Sequence, residues 1–162
     1  MRRLIMILLL QGLLFNTYSP SLALAADDED LKGEITVTGA REEQKKADTP
    51  ATVDMINKKQ IKDIKPSHPS EIVNRVPGVW VNVTGGEGHM TSIRQPLTTA
   101  PVYLYLEDGI PIRSTGFFNH NALYEVNIPM ADGLEVTKGP GTSLYGSDSI
   151  GGIINSLTKP AP

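Results

Sequence analysis

The chain contains no cysteine. A disulfide framework is therefore impossible, and so is any site built on a thiolate, whether a zinc centre or a nucleophile. Histidine is scarce: His68, His89 and His120 are the only three, and none stands at the H-x-x-x-H or H-x-H spacing of common metal sites. No Gly-x-Ser-x-Gly elbow is present to carry a serine nucleophile. Gly146 to Ile153 has the four-residue gap of a P-loop, but Gly152-Ile153 stands where Lys-Ser/Thr is required. Gly139 and Gly141 lack the third glycine of a dinucleotide fingerprint. These absences argue against an enzyme and against a bound cofactor. The net charge of −3 leaves no basic footprint for nucleic acid. Tryptophan occurs once, at Trp80, whose simplest role is as a packing aromatic in the core or on the domain wall. No apolar run reaches the roughly 20 residues of a membrane-spanning helix.

What is present suits one modest globular domain: 162 residues, 40% hydrophobic and 20% charged. The N-terminus reads as a secretory signal. Arg2 and Arg3 form a basic start, Leu4 to Phe15 an apolar stretch, and Ala23-Leu24-Ala25 an A-x-A cleavage site. Residues 1–25 are expected to be removed on export. The acidic and polar segment 26–48 is expected to be flexible, and it contains one strand-like stretch, Glu34 to Ala40, in which Ile35 and Val37 alternate with Thr36 and Thr38. A lone short strand needs a partner. Its own domain could supply one, or another protein's sheet edge could.

The domain itself is expected over 49–159. Thr49 to Ile56 reads as a strand, and Asn57 as the N-cap of a helix over Lys58 to Ile64. Ser67 or Ser70 is placed to cap a second helix with Pro69 in its first turn. Pro77-Gly78 then turns the chain into a strand from Val79 to Val83. The Gly-rich run from Thr84 to Met90 reads as a loop. Val102 to Leu106 is apolar or aromatic on both faces and is expected to be the central strand. Asp108-Gly109 is a hairpin turn. Arg113 to Ile128 is the longest irregular segment, and Phe117, Phe118 and His120 cluster in it. Long loops in compact domains are often functional. Packing of those aromatics onto the domain is the alternative.

The most informative stretch is Leu134 to Lys159, LEVTKGPGTSLYGSDSIGGIINSLTK. Apolar and polar residues alternate around Leu134 and Val136, as in a half-buried strand. Gly139-Pro140-Gly141 stops that strand, Thr142 to Tyr145 is one helical turn, and Gly146 ends it. Gly151-Gly152 lets two backbones approach closely before the strand that begins at Ile153.

In order and spacing this stretch resembles the end of the plug domain of TonB-dependent outer-membrane receptors. The motifs are EV-x-KGP, LYG, GG-x-IN and a closing TK. SEIVNRVPGVWV and VYLYLEDGIPI resemble earlier parts of the same domain, and Lys138 stands where the family usually has arginine. The resemblance spans about Glu34 to Lys159. It implies an α+β fold: a small mixed sheet near Val53, Val79, Val102, Leu134 and Ile153, with two short helices before Val79. It implies that Glu34, Ile35, Thr36, Val37 and Thr38 form a TonB box that pairs with the C-terminal domain of TonB. It implies ion pairing between plug and barrel through Arg94, in a motif where Gln95 replaces glycine, and Glu135; a solvated Arg94 is the alternative. Candidate ligand-facing positions are Gly86, His89, Phe117, Phe118 and His120, for a small molecule such as a ferric siderophore, cobalamin or another metal chelate. The partners implied are TonB and an outer-membrane β-barrel, in cis or in trans, and the site of action is the outer membrane. No alternating segments follow Lys159 to build a barrel. A truncated or fragmentary receptor is therefore expected, with a stand-alone periplasmic binding module as the other reading.

Overall fold

Local chemistry places the first helix. In the computed structural model the Asn57 side chain accepts from the Gln60 N–H at 2.9 Å, while the Gln60 side chain accepts from the Asn57 N–H at 2.9 Å. This reciprocal capping box satisfies two donors that the first turn leaves unpaired. The structure describes residues 35–36, 38, 40–85, 88–112, 127 and 130–160. The signal-like residues 1–25, Glu34, Val37, Gly86, Phe117, Phe118 and His120 lie outside that set.

In chain order the elements are β1 (Ile35–Thr36), β2 (Gln44–Lys45), β3 (Thr52–Asn57), α1 (Lys58–Ile64), α2 (Pro69–Val73), β4 (Val79–Gly85) and β5 (Gly88–Ile93). They continue with β6 (Tyr103–Glu107), β7 (Ile110–Pro111), β8 (Ala131–Lys138), α3 (Thr142–Tyr145) and β9 (Gly152–Thr158). Single 3-10 turns occupy Lys46–Asp48 and Ser147–Ser149. The five-stranded sheet has the order β3-β8-β9-β6-β7. β8 is antiparallel to both neighbours, β9 runs parallel to β6, and β7 folds back antiparallel on β6. The fold is α+β with a mixed sheet, as the sequence implied.

One face of the sheet carries the main core. Leu134, Val136, Ile154, Tyr103 and Tyr105 pack there against Ile61 of α1, Ile72 and Val73 of α2, and Val79, Val81 and Ile93 of the β4–β5 hairpin. Tyrosines serve because their hydroxyls find partners at the far side of the core. The Tyr105 hydroxyl lies 2.5 Å from the Thr91 hydroxyl, and the Tyr103 hydroxyl accepts from the Ile93 N–H at 3.1 Å. The hairpin is thereby tied to the sheet by hydrogen bonds as well as by apolar contact. The second face has a smaller cluster, Leu104, Leu106 and Ile153, with Tyr145 of α3 against it.

The structure corrects several expectations. β9 is the central strand, not the strand at Val102, because β8 and β6 flank it on either side. Val79 belongs to a separate two-stranded sheet rather than to the mixed one. The second helix is capped by His68, whose Nδ1 accepts from the Ser70 N–H at 3.1 Å; Ser67 instead bonds Glu71. β8 is buried on both faces, because α1, α2 and the hairpin cover one side and the N-terminal segment reaches the other. The stretch from Thr84 to Met90 is not a free loop, since most of it extends the β4–β5 hairpin.

Gly151 and Gly152 make the close approach that their sequence suggested. A Cβ on Gly152 would stand 2.7 Å from the Thr137 carbonyl oxygen and 2.8 Å from Ile93 Cδ1; one on Gly151 would stand 2.5 Å from Tyr103 Cε1. The Thr137 carbonyl is ladder backbone and has little room to shift. Gly152→Ala is expected to destabilise the domain by about 1–3 kcal/mol, the usual cost of overpacking. Urea denaturation will show a lowered midpoint at unchanged slope.

Candidate functional site

Strand register brings chemically distinct residues into line on the second face of the sheet. Glu135 of β8 stands between Met55 of β3 and Asn155 of β9, and Asn155 in turn stands beside Leu106 of β6. The next row is Val53, Thr137, Ile153 and Leu104. Two buried polar side chains, Glu135 at 1% exposure and Asn155 at 0%, thus sit at the middle of a largely apolar face that also carries buried Thr137. Buried groups of this kind require partners.

The N-terminal segment supplies them. Thr38 is itself buried. Its N–H donates to Glu135 Oε2 at 2.8 Å, and its hydroxyl donates to the same oxygen. Asn155 Nδ2 donates to Thr38 Oγ1 at 3.0 Å, while Asn155 Oδ1 accepts from the Gly109 N–H at 3.0 Å. Three residues apart along the chain, Arg41 places its guanidinium 4.6 Å from the centre of the Tyr145 ring. Burial pushes the Tyr145 hydroxyl above its ordinary 10.0; Arg41 draws it down, and the negative charge of Glu135 adds to the rise. Segment 38–45 thus ends at β2, where Lys45 and Gln44 pair with Ile35 and Thr36. Of the residues expected to form a TonB box, Ile35 and Thr36 lie in this two-residue ladder and Thr38 lies against Glu135, while Glu34 and Val37 are outside the described residues.

On the first face a second charged group is held differently. The side chain of Lys138 is 5% exposed; its Nζ donates to the Pro77 carbonyl at 2.6 Å and pairs with Asp54, which also meets Lys46 at 3.4 Å. Burial alone would raise the Asp54 carboxyl, but Lys138 and Lys46 together outweigh it and hold the group below its ordinary 3.8. Lys138 therefore acts within the domain, joining the end of β8 to the turn before β4.

Arg94 follows β5 with a left-handed backbone, φ 57°, and its N–H donates to the Gly78 carbonyl at 2.9 Å. The strained position falls on Arg94 rather than on Gln95, so the missing glycine there carries no conformational penalty. The side chain is exposed, with no carboxylate partner among the described residues. Trp80 is 55% exposed, on the outer side of β4. The core reading of Trp80 is therefore wrong, because strand alternation turns Val79 and Val81 inward and Trp80 outward.

The structure does not join Arg94 and Glu135 into one surface. Glu135 is buried beneath Thr38 and, in this chain, faces its own N-terminal segment. His89 is corrected as well. It is fully buried in β5, its ring edge-on to His68 at 6.2 Å and to Tyr105 at 6.4 Å, because strand alternation turns it inward with Thr91 and Ile93. Asn155 and the Arg41–Tyr145 pair escaped the sequence reading. Asparagine in the apolar run Ile153-Ile154-Asn155 was the available signal, since a central strand seldom accepts an amide without a partner.

Comparisons with known proteins fit this architecture. The TonB-dependent Receptor Plug Domain family model matches residues 45–153. The Vitamin B12 transporter BtuB of Vibrio vulnificus strain CMCP6 is 34% identical over 143 residues, covering 86% of this chain and 23% of its own length. The protein of the same name from Vibrio cholerae serotype O1 strain M66-2 is 32% identical, with 87% and 23% covered. Among solved structures, P. aeruginosa FpvA bound to heterologous pyoverdines superposes with a TM-score of 0.65 at 23% identity, over 82% of this chain and 17% of that one. BauA, the ferric preacinetobactin receptor of Acinetobacter baumannii, gives 0.58 at 25% identity, over 78% and 18%. The chain thus spans less than a quarter of the length of these proteins.

The depressed Asp54 carboxyl makes stability depend on pH. A group whose folded pKa lies below its unfolded value contributes stability above the unfolded value and loses it as pH falls through the folded one. Acidification from about pH 5 through the carboxylate range is therefore expected to lower the urea midpoint. Asp54→Asn should lower the midpoint at neutral pH and flatten this acid limb. An unchanged limb in the variant would show that other carboxylates carry it.

Proposed function

The chain belongs to the TonB-dependent receptor plug family, and on that premise we propose that it gates a solute receptor of the Gram-negative outer membrane and is coupled to TonB by strand pairing. The plug fills a surrounding β-barrel, supplied in cis or in trans, and solute reaches the periplasm when the plug is displaced. Vitamin B12 and ferric siderophores, named for the relatives, set the class of cargo: bulky metal chelates. Such cargo is substrate rather than cofactor, and the catalytic chemistry missing from the sequence is not needed to move it.

The observation that carries this reading is the state of the segment at 35–38. It is extended at Ile35–Thr36, where it pairs with Gln44–Lys45 of the same N-terminal stretch, and it meets the sheet at Thr38. An extended segment of this kind is suited to a second sheet edge, where main-chain hydrogen bonds supply affinity and alternate side chains supply specificity. Exposed Arg94 and Trp80 belong in this reading to the surface that meets the barrel wall. The cargo-facing role falls to the segment around Phe117, Phe118 and His120 and to Gly86, not to buried His89.

A peptide of Glu34 to Ala40 is expected to bind the TonB C-terminal domain in calorimetric titration. Val37→Pro removes a ladder donor and fixes φ, and should abolish that binding. Equal binding by the proline peptide would exclude strand pairing as the mode of coupling.

A further inference from the structure

Between α1 and the turn that follows α2 the surface opens into a cleft of about 430 Å³, lined by Ile56, Gln60, Asp63, Ile64 and Arg75. That volume falls in the range of small-molecule sites. The floor is apolar, since Ile56 is buried and Ile64 half-buried. The walls are polar and exposed. Gln60 gives its Oε1 to the Asn57 N–H, and its Nε2 donates to nothing among the described residues. Asp63 and Arg75 carry opposite charges, yet neither joins an ion pair or a side-chain hydrogen bond among the described residues. Glu71, one turn before Arg75, is committed to the N–H and hydroxyl of Ser67. Both walls are fixed by backbone contacts. The capping box sets the start of α1, and the Arg75 N–H donates to the Ile72 carbonyl at 2.9 Å.

We propose that this cleft binds a short zwitterionic peptide with apolar side chains. The peptide's carboxylate meets the Arg75 guanidinium, whose planar fork of donors matches it, and Gln60 Nε2 donates beside it. The peptide's ammonium group faces Asp63, and its side chains lie over Ile56 and Ile64. One occupant thereby uses every group that the cleft presents. A simple anion would be repelled by Asp63, and a simple cation by Arg75. A wholly apolar molecule would cover both charges and pair neither. The cleft lies on elements that the TonB-binding and cargo-facing roles do not use, so it adds a ligand class to them. Exposed charge pairs add little each, and an open cleft buries only part of a ligand, so a dissociation constant of about 1 mM is expected.

Titration of the chain with leucyl-leucine, followed by NMR amide shifts, tests this. Three forms of the dipeptide serve as probes: free, N-acetylated and C-amidated. The free form should give saturable shifts centred on the amides of Gln60, Asp63, Ile64 and Arg75. Each blocked form lacks one charge and should bind about two- to fivefold more weakly, the range measured for single exposed ion pairs. Asp63→Asn should weaken the free and amidated forms by a similar factor and leave the acetylated form unchanged. Arg75→Gln should weaken the free and acetylated forms and leave the amidated form unchanged. Both residues are exposed, so neither variant threatens the fold. Absence of saturable shifts at these amides up to about 20 mM dipeptide overturns the proposal. So does equal weakening of all three forms by both variants, which would show that the charges do not read the two ends of the peptide.

Discussion

A carboxylate lies where a sheet of this kind would ordinarily place an aliphatic side chain, and much of the second face follows from it. Glu135 occupies the strand beside the sheet's centre at 1% exposure, flanked in register by Met55 and Asn155. Leaving such a group without donors costs more than the pairing gains, so the face must be covered by something polar. Among the described residues no helix does this. Thr38 does, from a segment whose own sequence is too short and too polar to fold by itself. The N-terminal segment thereby gains a defined position from a residue about a hundred places distant.

The two faces solve burial in different ways. The first is filled by aliphatic residues and by two tyrosines whose hydroxyls reach the hairpin, so its cohesion is apolar with polar ties at the far edge. Each fully buried aliphatic side chain contributes ~1.5–3 kcal/mol there. Among the described residues the second face has a smaller apolar cluster, Leu104, Leu106 and Ile153 with Tyr145, which shares the face with Val53, Met55 and the polar row. Thr137 shows the consequence, for its buried hydroxyl finds no partner among the described residues.

Most of the first face was legible from local signals. The capping amide at Asn57, the Asp108-Gly109 turn, the glycines at 151 and 152 and the apolar run of β6 each specify their structure within a few residues. What failed depended on contacts distant in sequence. The pattern around Leu134 alternates and so resembled a half-exposed strand, because Glu135 and Thr137 look like solvent-facing residues until another segment is known to cover them. His89, in a Gly-rich context, looked like a loop residue for the same reason, and only the pairing of β4 with β5 turns it inward. Strand order is likewise non-local: the length and apolarity of β6 suggested the centre, but the neighbours of β9 decide it.

The fastening of Thr38 takes a particular chemical form. A buried ion pair at Thr38 would bring a second charge out of water, at a desolvation cost that its attraction to Glu135 need not repay. A purely apolar contact would lack direction and would not distinguish one extended residue from the next. Uncharged donors satisfy the Glu135 carboxylate directionally without burying a second charge. They select one backbone position, because N–H and hydroxyl must converge on one oxygen. Lys138 offers the contrast within the same molecule. There the cation is buried, paired with Asp54 and bonded to the Pro77 carbonyl, and it joins elements of the fixed core. Charge pairing thus joins elements within the core, and neutral hydrogen bonding to a carboxylate joins the N-terminal segment to the sheet.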